Sequence, residues 1–291
     1  MTDDVHLIGV DLGGTKVAVG KVIGEKVTEH YSALLGKEHL NDAQAVVDIV
    51  IDAIDHVFTD EVKGIGVGVP SVVDRERGII YDVVNIPSWK EMPLKSILEE
   101  KFNVPVFIDN DVNCFAIGAR LYGKGKKYEN FVGIAIGTGI GGGIITRGKL
   151  HQDANCGSGE FGEAPYLDKR YEDYCSGVFF RDTHKTSGKE LFKRAKAGDA
   201  KAIKIFEEFG FHLGNAIKTI MCAVDPEAII IGGSIAAARE FYEEAMWKQI
   251  KTFTFSRSVK NLKIEFTEHT EDTPILGAAA VCLHNLQEKA D

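Results

Sequence analysis

Asp111 and the run Gly137-Thr-Gly-Ile-Gly-Gly-Gly143 fall in one stretch of the chain, a carboxylate followed by backbone amides able to wrap an anion. The first part, Val106-Phe-Ile-Asp-Asn-Asp-Val-Asn113, reads as an apolar strand with an acidic tip, and Val112, Phe115, Ala116, Ala119 and Tyr122 then recur at helical spacing. Asp111 therefore falls where strand becomes helix. Its side chain can either cap the first turn or project into a cleft beyond the strand ends. The glycine run lies between two short apolar strands, and five glycines in seven positions, with Thr138 among them, exceed what a plain hairpin needs. Glycine at 137, 139, 141, 142 and 143 permits close approach of an anion and positive φ, so a phosphate cradle is expected.

The same device occurs at the N-terminus. Val5-His-Leu-Ile-Gly-Val10 leads into Asp11-Leu-Gly-Gly-Thr-Lys16, and the chain resumes as an alternating apolar strand over 17–23. Two strand–glycine turn–strand segments suggest two related halves, each offering a phosphate-facing hairpin. A third chemical cluster follows in Cys156-Gly-Ser-Gly-Glu-Phe-Gly-Glu163, with Glu172 and Asp173 just ahead of Ser176-Gly177. Carboxylates on glycine-rich backbone are either solvated surface or hydroxyl acceptors in a polar pocket.

The elements that must position these groups alternate between strand and helix. Asn41 is read as the cap of a helix whose apolar face is Val46, Ile49, Val50, Ala53, Ile54 and Val57. Gly64-Ile-Gly-Val-Gly-Val69 reads as a buried strand whose glycines permit close packing, stopped by Pro70-Ser71. A turn-rich segment through Asp74, Gly78 and Asn85 comes next, with Trp89 as a packing residue, and then a short helix over 94–101. A long helix over 199–221 carries Ile205, Phe206, Phe209, Leu213 and Ile217 on one face. Ala228-Ile-Ile-Ile231 enters Gly232-Gly-Ser234 and a helix over 239–250, a plausible nucleotide contact. A strand over 262–267 precedes a final alanine-rich helix that Thr273-Pro274 is read to cap.

With 291 residues, 44% hydrophobic and 26% charged, the composition is that of a globular protein of one large or two ordinary domains. A net charge of −9 argues against nucleic acid or anionic membrane as the main partner, and Gly123-Lys-Gly-Lys-Lys127 reads as a solvated loop. The five cysteines are widely spaced with no Cys-x-x-Cys pair. Without a signal peptide or long apolar run, they read as reduced thiols of a cytoplasmic protein, and no zinc site is expected.

The ordered set Asp11-Leu-Gly-Gly-Thr-Lys16, Gly68-Val-Pro70, Asn110-Asp111, Gly137 to Gly143, Glu160-Phe-Gly162, Glu172 with Ser176-Gly177, and Ile231-Gly-Gly-Ser234 resembles the ROK family of sugar kinases. That family lies within the actin and hexokinase nucleotide-binding superfamily. The resemblance implies two actin/ribonuclease-H-like α/β domains closing on a central cleft, residues 1–111 plus 275–291 forming the smaller and 112–274 the larger. It implies transfer of the ATP γ-phosphoryl group to a hexose hydroxyl, most simply the sixth-carbon hydroxyl of glucose, with Asp111 as general base. Asn110, Glu160 and Glu172 would bind sugar hydroxyls, with Ser71 and Asn85 as further contacts. Gly13, Gly14, Thr15, Lys16, Gly137, Thr138, Gly139 and Gly141 would hold the phosphates, Gly232 and Gly233 would lie near adenosine, and Asp11 would orient hydrated magnesium. Sugar and ATP are the implied partners of a homo-oligomer, a dimer or a tetramer.

Two departures stand out. The cysteine cluster that binds zinc in many members is missing between Glu160 and Glu172, so zinc is not implied. The family's Glu-x-Gly-His is here Glu160-Phe-Gly-Glu163, which places a further carboxylate, Glu163, in the implied sugar pocket. Kinases of hexosamines, N-acetylmannosamine, fructose or β-glucosides, and a non-catalytic sugar or nucleotide sensor, are the alternatives. Repressors of the family carry a winged helix ahead of the first hairpin, and with ten residues before Asp11 the kinase rather than the repressor form is expected.

Overall fold

Runs of β-branched residues broken by glycine turns alternate with amphipathic segments. The computed structural model, which describes residues 5–268 and 270–289, turns that pattern into strands and helices. The first part contains β1 (His6–Leu12), β2 (Lys16–Ile23), β3 (Lys26–Leu34), α1 (Ala43–Asp55), β4 (Val62–Val69), β5 (Val72–Asp74), β6 (Ile79–Tyr81), β7 (Glu91–Met92), α2 (Leu94–Phe102), β8 (Val106–Asn110) and α3 (Asp111–Leu121). There follow β9 (Phe131–Ile136), β10 (Ile140–Thr146), β11 (Lys149–Leu150), β12 (Pro165–Tyr166), β13 (Lys169–Arg170), α4 (Tyr171–Cys175), α5 (Gly188–Lys196) and α6 (Ala200–Val224). The last elements are β14 (Ala228–Gly232), α7 (Arg239–Ile250), α8 (Ser256–Asn261), β15 (Lys263–Phe266) and α9 (Asp272–Glu288).

The described chain divides into two units, one of residues 5–126, 150–157 and 270–289, the other of 127–149 and 158–268. The sequence reading closes the first domain at 111 and resumes it at 275. The division by contact instead gives α3 and residues 150–157 to the first unit, because α3 packs on α9 and Arg75 holds the 151–153 backbone and side chains. The ends of the expected domain, residues 1–4 and 290–291, lie outside the described residues.

Each unit is built on a five-stranded sheet of the same kind. In the first the order is β3-β2-β1-β4-β8, with β1, β2 and β3 antiparallel and β1, β4 and β8 parallel. In the second the order is β11-β10-β9-β14-β15, with β9 and β10 antiparallel and β9, β14 and β15 parallel. The two glycine turns of the sequence are thus the hairpins β1–β2 and β9–β10, at equivalent places in two like sheets. The turn-rich segment after β4 forms its own small antiparallel sheet, β5-β6-β7.

The first core joins the sheet residues Ile8, Val10, Val67 and Ile108 to Val50 and Ile54 of α1, and Trp89 is buried there with its indole N–H donating to Ala43 O at 3.2 Å. On the other face α9 lies directly on the sheet. A Cβ at Gly66 would stand 1.8 Å from Ala278 O, so the strand glycines and the alanine-rich helix require one another. The second core is aromatic, with Phe179, Phe180, Phe206, Phe209 and Tyr242 packed under α6 and α7. No helix among the described residues is long and apolar enough to cross a membrane.

Local corrections have simple causes. Asp42, not Asn41, caps α1, since its carboxylate accepts from the amides of Gln44 and Ala45. Thr273 and Pro274 lie inside the first turn of α9, which starts at Asp272 without a side-chain cap. Residues 124–127 form a 3-10 turn tied down by ion pairs of Lys126 with Glu25 and Lys127 with Glu265. All five cysteines are free thiols.

Candidate active site

In the first unit the candidate side chains lie at the ends of parallel strands. Asp11 is half-buried near the end of β1, and the turn beyond it closes through Gly13 N–H donating to Lys16 O at 2.9 Å. A Cβ on Gly14 would stand 2.3 Å from Asn85 Cβ, so Asn85 rests on this hairpin. At the end of β8 the cap of α3 is Asn110, whose Oδ1 accepts from Val112 N–H at 2.8 Å and whose Nδ2 donates to Ser71 O at 3.2 Å. Ser71 in turn donates through Oγ to Tyr81 O at 2.5 Å. With the cap supplied by Asn110, the exposed Asp111 side chain in the first turn is not the cap that the sequence left open.

Behind this junction lies Asp109, 2% exposed. Burial raises its carboxyl to about 6 against the opposing pull of Arg75 and of hydrogen bonds from Asn113 and Asn110. Burial, with the negative charges of Asp109, Asp111 and Asp11, also pushes the Cys114 thiol well up, so these three carboxylates act on one buried sulfur.

In the second unit the hairpin turn is narrower than the glycine run. Gly137 N–H donates to Gly139 O at 3.0 Å, whereas Gly141, Gly142 and Gly143 belong to β10 and pair with β9. None of Gly13, Gly14, Gly137, Gly139, Gly141, Gly142 and Gly143 has positive φ, because both runs pass into extended strand; Gly233 does, at 82°. A Cβ at Gly139 would stand 2.5 Å from Glu172 Oε2, which places that carboxylate against the turn. Ser176, fully buried, donates through Oγ to Glu172 O at 2.7 Å, and Gly177 N–H donates to Gly137 O at 2.8 Å.

The carboxylates of the 160–173 segment influence one another. Glu160 is exposed as a residue, yet partial burial of its carboxyl, then the charges of Glu163 and Glu172, raise it above the usual range. Glu163 is bound by a cation from this same chain: Arg170 Nη1 donates to both of its oxygens at 2.8 Å, and the guanidinium also lies 4.0 Å from Glu172 and 3.5 Å from Asp173. The sequence reading set Glu163 as a further carboxylate in the implied sugar pocket, where several carboxylates cannot all ionise cheaply without a cation. Arg170 supplies one.

A cavity of about 800 Å³ opens beside the hairpin, lined by Gly137, Thr138, Ser176, Gly177, Ser234 and Ile235. Its apolar part includes Phe180 and Phe192, and the exposed cations Arg181, Lys185 and Lys189 border it. Its size suits a small-molecule ligand. Gly232 ends β14 and Gly233 turns the chain into the 3-10 helix Ser234–Ala238, so this predicted contact leads to the cavity. The residues from Phe180 to Phe192 were missed. The signal was Ser187-Gly-Lys-Glu190, a sequence pattern for a helix start, where Ser187 caps α5 by accepting through Oγ from Glu190 N–H at 3.1 Å. Among the described residues there is no cluster of three or more His, Cys, Asp or Glu suited to a metal.

Two α/β units built on like five-stranded sheets, each with a glycine hairpin at an equivalent place, define the class of scaffold. The ROK family pattern spans residues 7–285, and the chain belongs to that family. It is 30% identical over 312 residues to the glucokinase of Thermotoga maritima, covering 95% of this chain and 97% of that protein. The Bacillus subtilis xylose repressor is 26% identical, covering 96% of this chain and 77% of the repressor. Among solved structures, the ROK family glucokinase from Streptomyces griseus in complex with glucose and AMPPNP superposes with a TM-score of 0.75 at 25% identity, over 94% of this chain and 98% of that one.

Proposed function

We propose that this chain is an ATP-dependent sugar kinase that phosphorylates a hexose, the sixth-carbon hydroxyl of glucose or a close relative, with Asp111 as general base. The observation that carries the reading is the junction itself: Asn110 does the capping, which leaves the Asp111 carboxylate exposed in the first turn of α3. The likeness to glucokinases, one of them solved with glucose and a nucleotide analogue, supports the sugar and the donor.

In this mechanism Asp111 takes the proton as the sugar oxygen bonds to the γ-phosphorus and the bond to the ADP oxygen breaks. An ionised aspartate is a weak base, which suffices because the loose transition state places little charge demand on the attacking hydroxyl. Asn110, Ser71 and Asn85 in the first unit, and Glu160 and Glu172 in the second, take sugar hydroxyls. Glu163, neutralised by Arg170, acts as part of a paired charge. Thr138 with the amides of Gly137, Gly139 and Gly141, and Gly13 to Lys16 in the other hairpin, hold phosphates, while Gly232 and Gly233 border the nucleoside.

Magnesium fits Asp11, whose half-buried carboxylate at the end of β1 offers hard oxygen donors beside the first glycine turn. Asp11 would hold it through water, and the ion would neutralise phosphate charge. The net charge of −9 favours small-molecule partners over nucleic acid, and the reading takes the chain as a cytoplasmic homo-oligomer away from membranes.

The xylose repressor likeness favours one second reading, a sugar sensor without turnover. The test is ATP consumption with glucose, mannose, fructose, glucosamine, N-acetylmannosamine and β-glucosides. The kinase reading expects sugar-dependent ADP release that Asp111→Asn lowers about 100- to 10,000-fold; binding of a sugar with no ADP release supports the sensor.

A further inference from the structure

The buried carboxylate of Asp109 has no part in the reaction described above, yet it is bonded to the residues on both sides of Asp111. One oxygen accepts from Asn110 N–H and from Asn113 Nδ2, each at 2.8 Å. Across from the carboxylate lies Arg75, its Nη1 3.8 Å from Oδ2. Arg75 is itself held from the other side, donating through Nη2 to Asp153 Oδ1 at 2.5 Å and to His151 O at 3.2 Å. Asp109 therefore grips the last strand residue and the first helical turn at once, and a second layer of charge grips Asp109. An apolar residue would fill a buried place at the end of a core strand at less cost, since a buried carboxylate is expensive unless it is paired. Such a group is a candidate for a role in function.

We propose that Asp109 is a positioning residue for the phosphoryl acceptor's base, its carboxylate, braced by Arg75 and Asp153, pinning the β8–α3 junction so that Asp111 leaves the helix in one orientation. This rests on the reading of Asp111 as the base. The charged and titratable groups around Asp109 are Arg75 from the turn after β5, Asp153 from the 150–157 segment, and Cys114 from α3, with Asp11 and Asp111 acting on the same Cys114. Cys156 feels Asp153, Asp74, Arg75 and Asp109 in turn. Ionised, Asp109 accepts from both Asn110 and Asn113. Protonated on Oδ2, it keeps those two bonds at Oδ1 but loses its attraction to Arg75, so the brace on the junction loosens on the acid side.

The experiment measures kcat and KM with glucose and ATP from pH 5 to 8.5, alongside hydrogen exchange of peptides covering 106–121. Asp109→Asn keeps an oxygen for Asn110 and Asn113 but turns an NH2 donor toward Arg75 and so releases the brace. It should lower kcat at pH 8 by about tenfold to a hundredfold, the scale of a misplaced reacting group, with little change in the glucose KM. Protection from exchange at residues 110–114, taken relative to the intrinsic rate at each pH, should fall in that variant, and in the native protein on the acid side. Arg75→Met should move the acid limb of kcat to higher pH, because Arg75 holds the Asp109 carboxyl down. Asp153→Asn should move it to lower pH, because Asp153 pushes that carboxyl up. Native kcat and exchange in Asp109→Asn overturn the proposal. If that variant does not fold, an acid limb that fails to move in opposite directions in the two charge variants overturns it. A native protein that phosphorylates no sugar removes the kinase reading, and the exchange result then decides this proposal by itself.

Discussion

Asp109→Asn should cost activity and gain stability, and the size of the gain follows from where the carboxylate sits. Its ordinary value of 3.8 is raised to about 6, and the residue is 2% exposed. A folded-state value above the unfolded one means that the unfolded chain releases the proton more readily. The stability this group contributes is therefore complete below about pH 4 and is lost as pH rises through about 6. Above that, the ionised Asp109 holds the fold about 3 kcal/mol less stable than its neutral form would, at about 1.4 kcal/mol per pH unit. Asparagine has nearly the same shape, is neutral at every pH and keeps an oxygen for Asn110 and Asn113, so it recovers part of that cost. At roughly 2–4 °C per kcal/mol for chains approaching this size, the melting temperature at pH 7.5 should rise by several degrees. The difference should shrink to roughly half at pH 5, near the midpoint between the two values. The assay is thermal unfolding of both proteins across pH, with kcat measured on the same samples. A variant that melts below the native protein at pH 7.5, or a difference that does not shrink toward pH 5, refutes the reasoning.

Asp111→Asn should leave thermal unfolding close to native while turnover with an active sugar falls about 100- to 10,000-fold, and near-native turnover would remove Asp111 as base. Gly14→Ala places a Cβ 2.3 Å from Asn85 Cβ, so it should raise the KM for ATP or sugar without a comparable loss of stability, as initial-rate kinetics will show. Glu163→His leaves Arg170 with only Glu172 and Asp173; the ratio of kcat/KM for glucose to that for glucosamine should change with pH, and an unchanged ratio would mark Glu163 as surface. Dialysed protein should need added magnesium and retain no stoichiometric zinc by metal analysis, and folding that collapses on zinc removal would contradict this.

Much of the site was legible because its chemistry coincides with local sequence signals. The acidic tip of β8, the glycine turns after β1 and β9, and the Gly-Gly at the end of β14 all mark strand ends, where side chains are released from the sheet. What escaped the sequence depended on side-chain pairings that no periodicity marks. Arg170 and Glu163 meet because β12 and β13 form a tight hairpin, and such two-residue strands carry no periodicity to read. Arg75 reaches Asp109 and Asp153 across separations in the chain that no spacing rule anticipates. The extent of the glycine run misled for a different reason. Glycine suits both a turn and a strand packed against backbone, and Gly142, whose N–H donates to Gly159 O at 2.9 Å, is of the second kind.

The same distinction explains why the end of the chain matters to the start of the site. α9 packs on β1, β4 and β8 and against α3, the elements that carry Asp11, Asn110 and Asp111. It can do so only because glycines remove the side chains between them: a Cβ on Gly277 would stand 2.8 Å from Cys114 O, and one on Gly118 would stand 2.9 Å from Gly277 Cα. Backbone packed this closely has little room to move, since core interiors are dense and transmit displacement. Asp111 is thus fixed from two directions. Helix-on-helix contact sets the axis of α3, and the hydrogen bonds of Asp109 and Asn110 set where that helix begins. The first is apolar and stabilises the fold, while the second buries a charge and weakens it, which is the expected signature when a polar group is kept for the geometry it imposes.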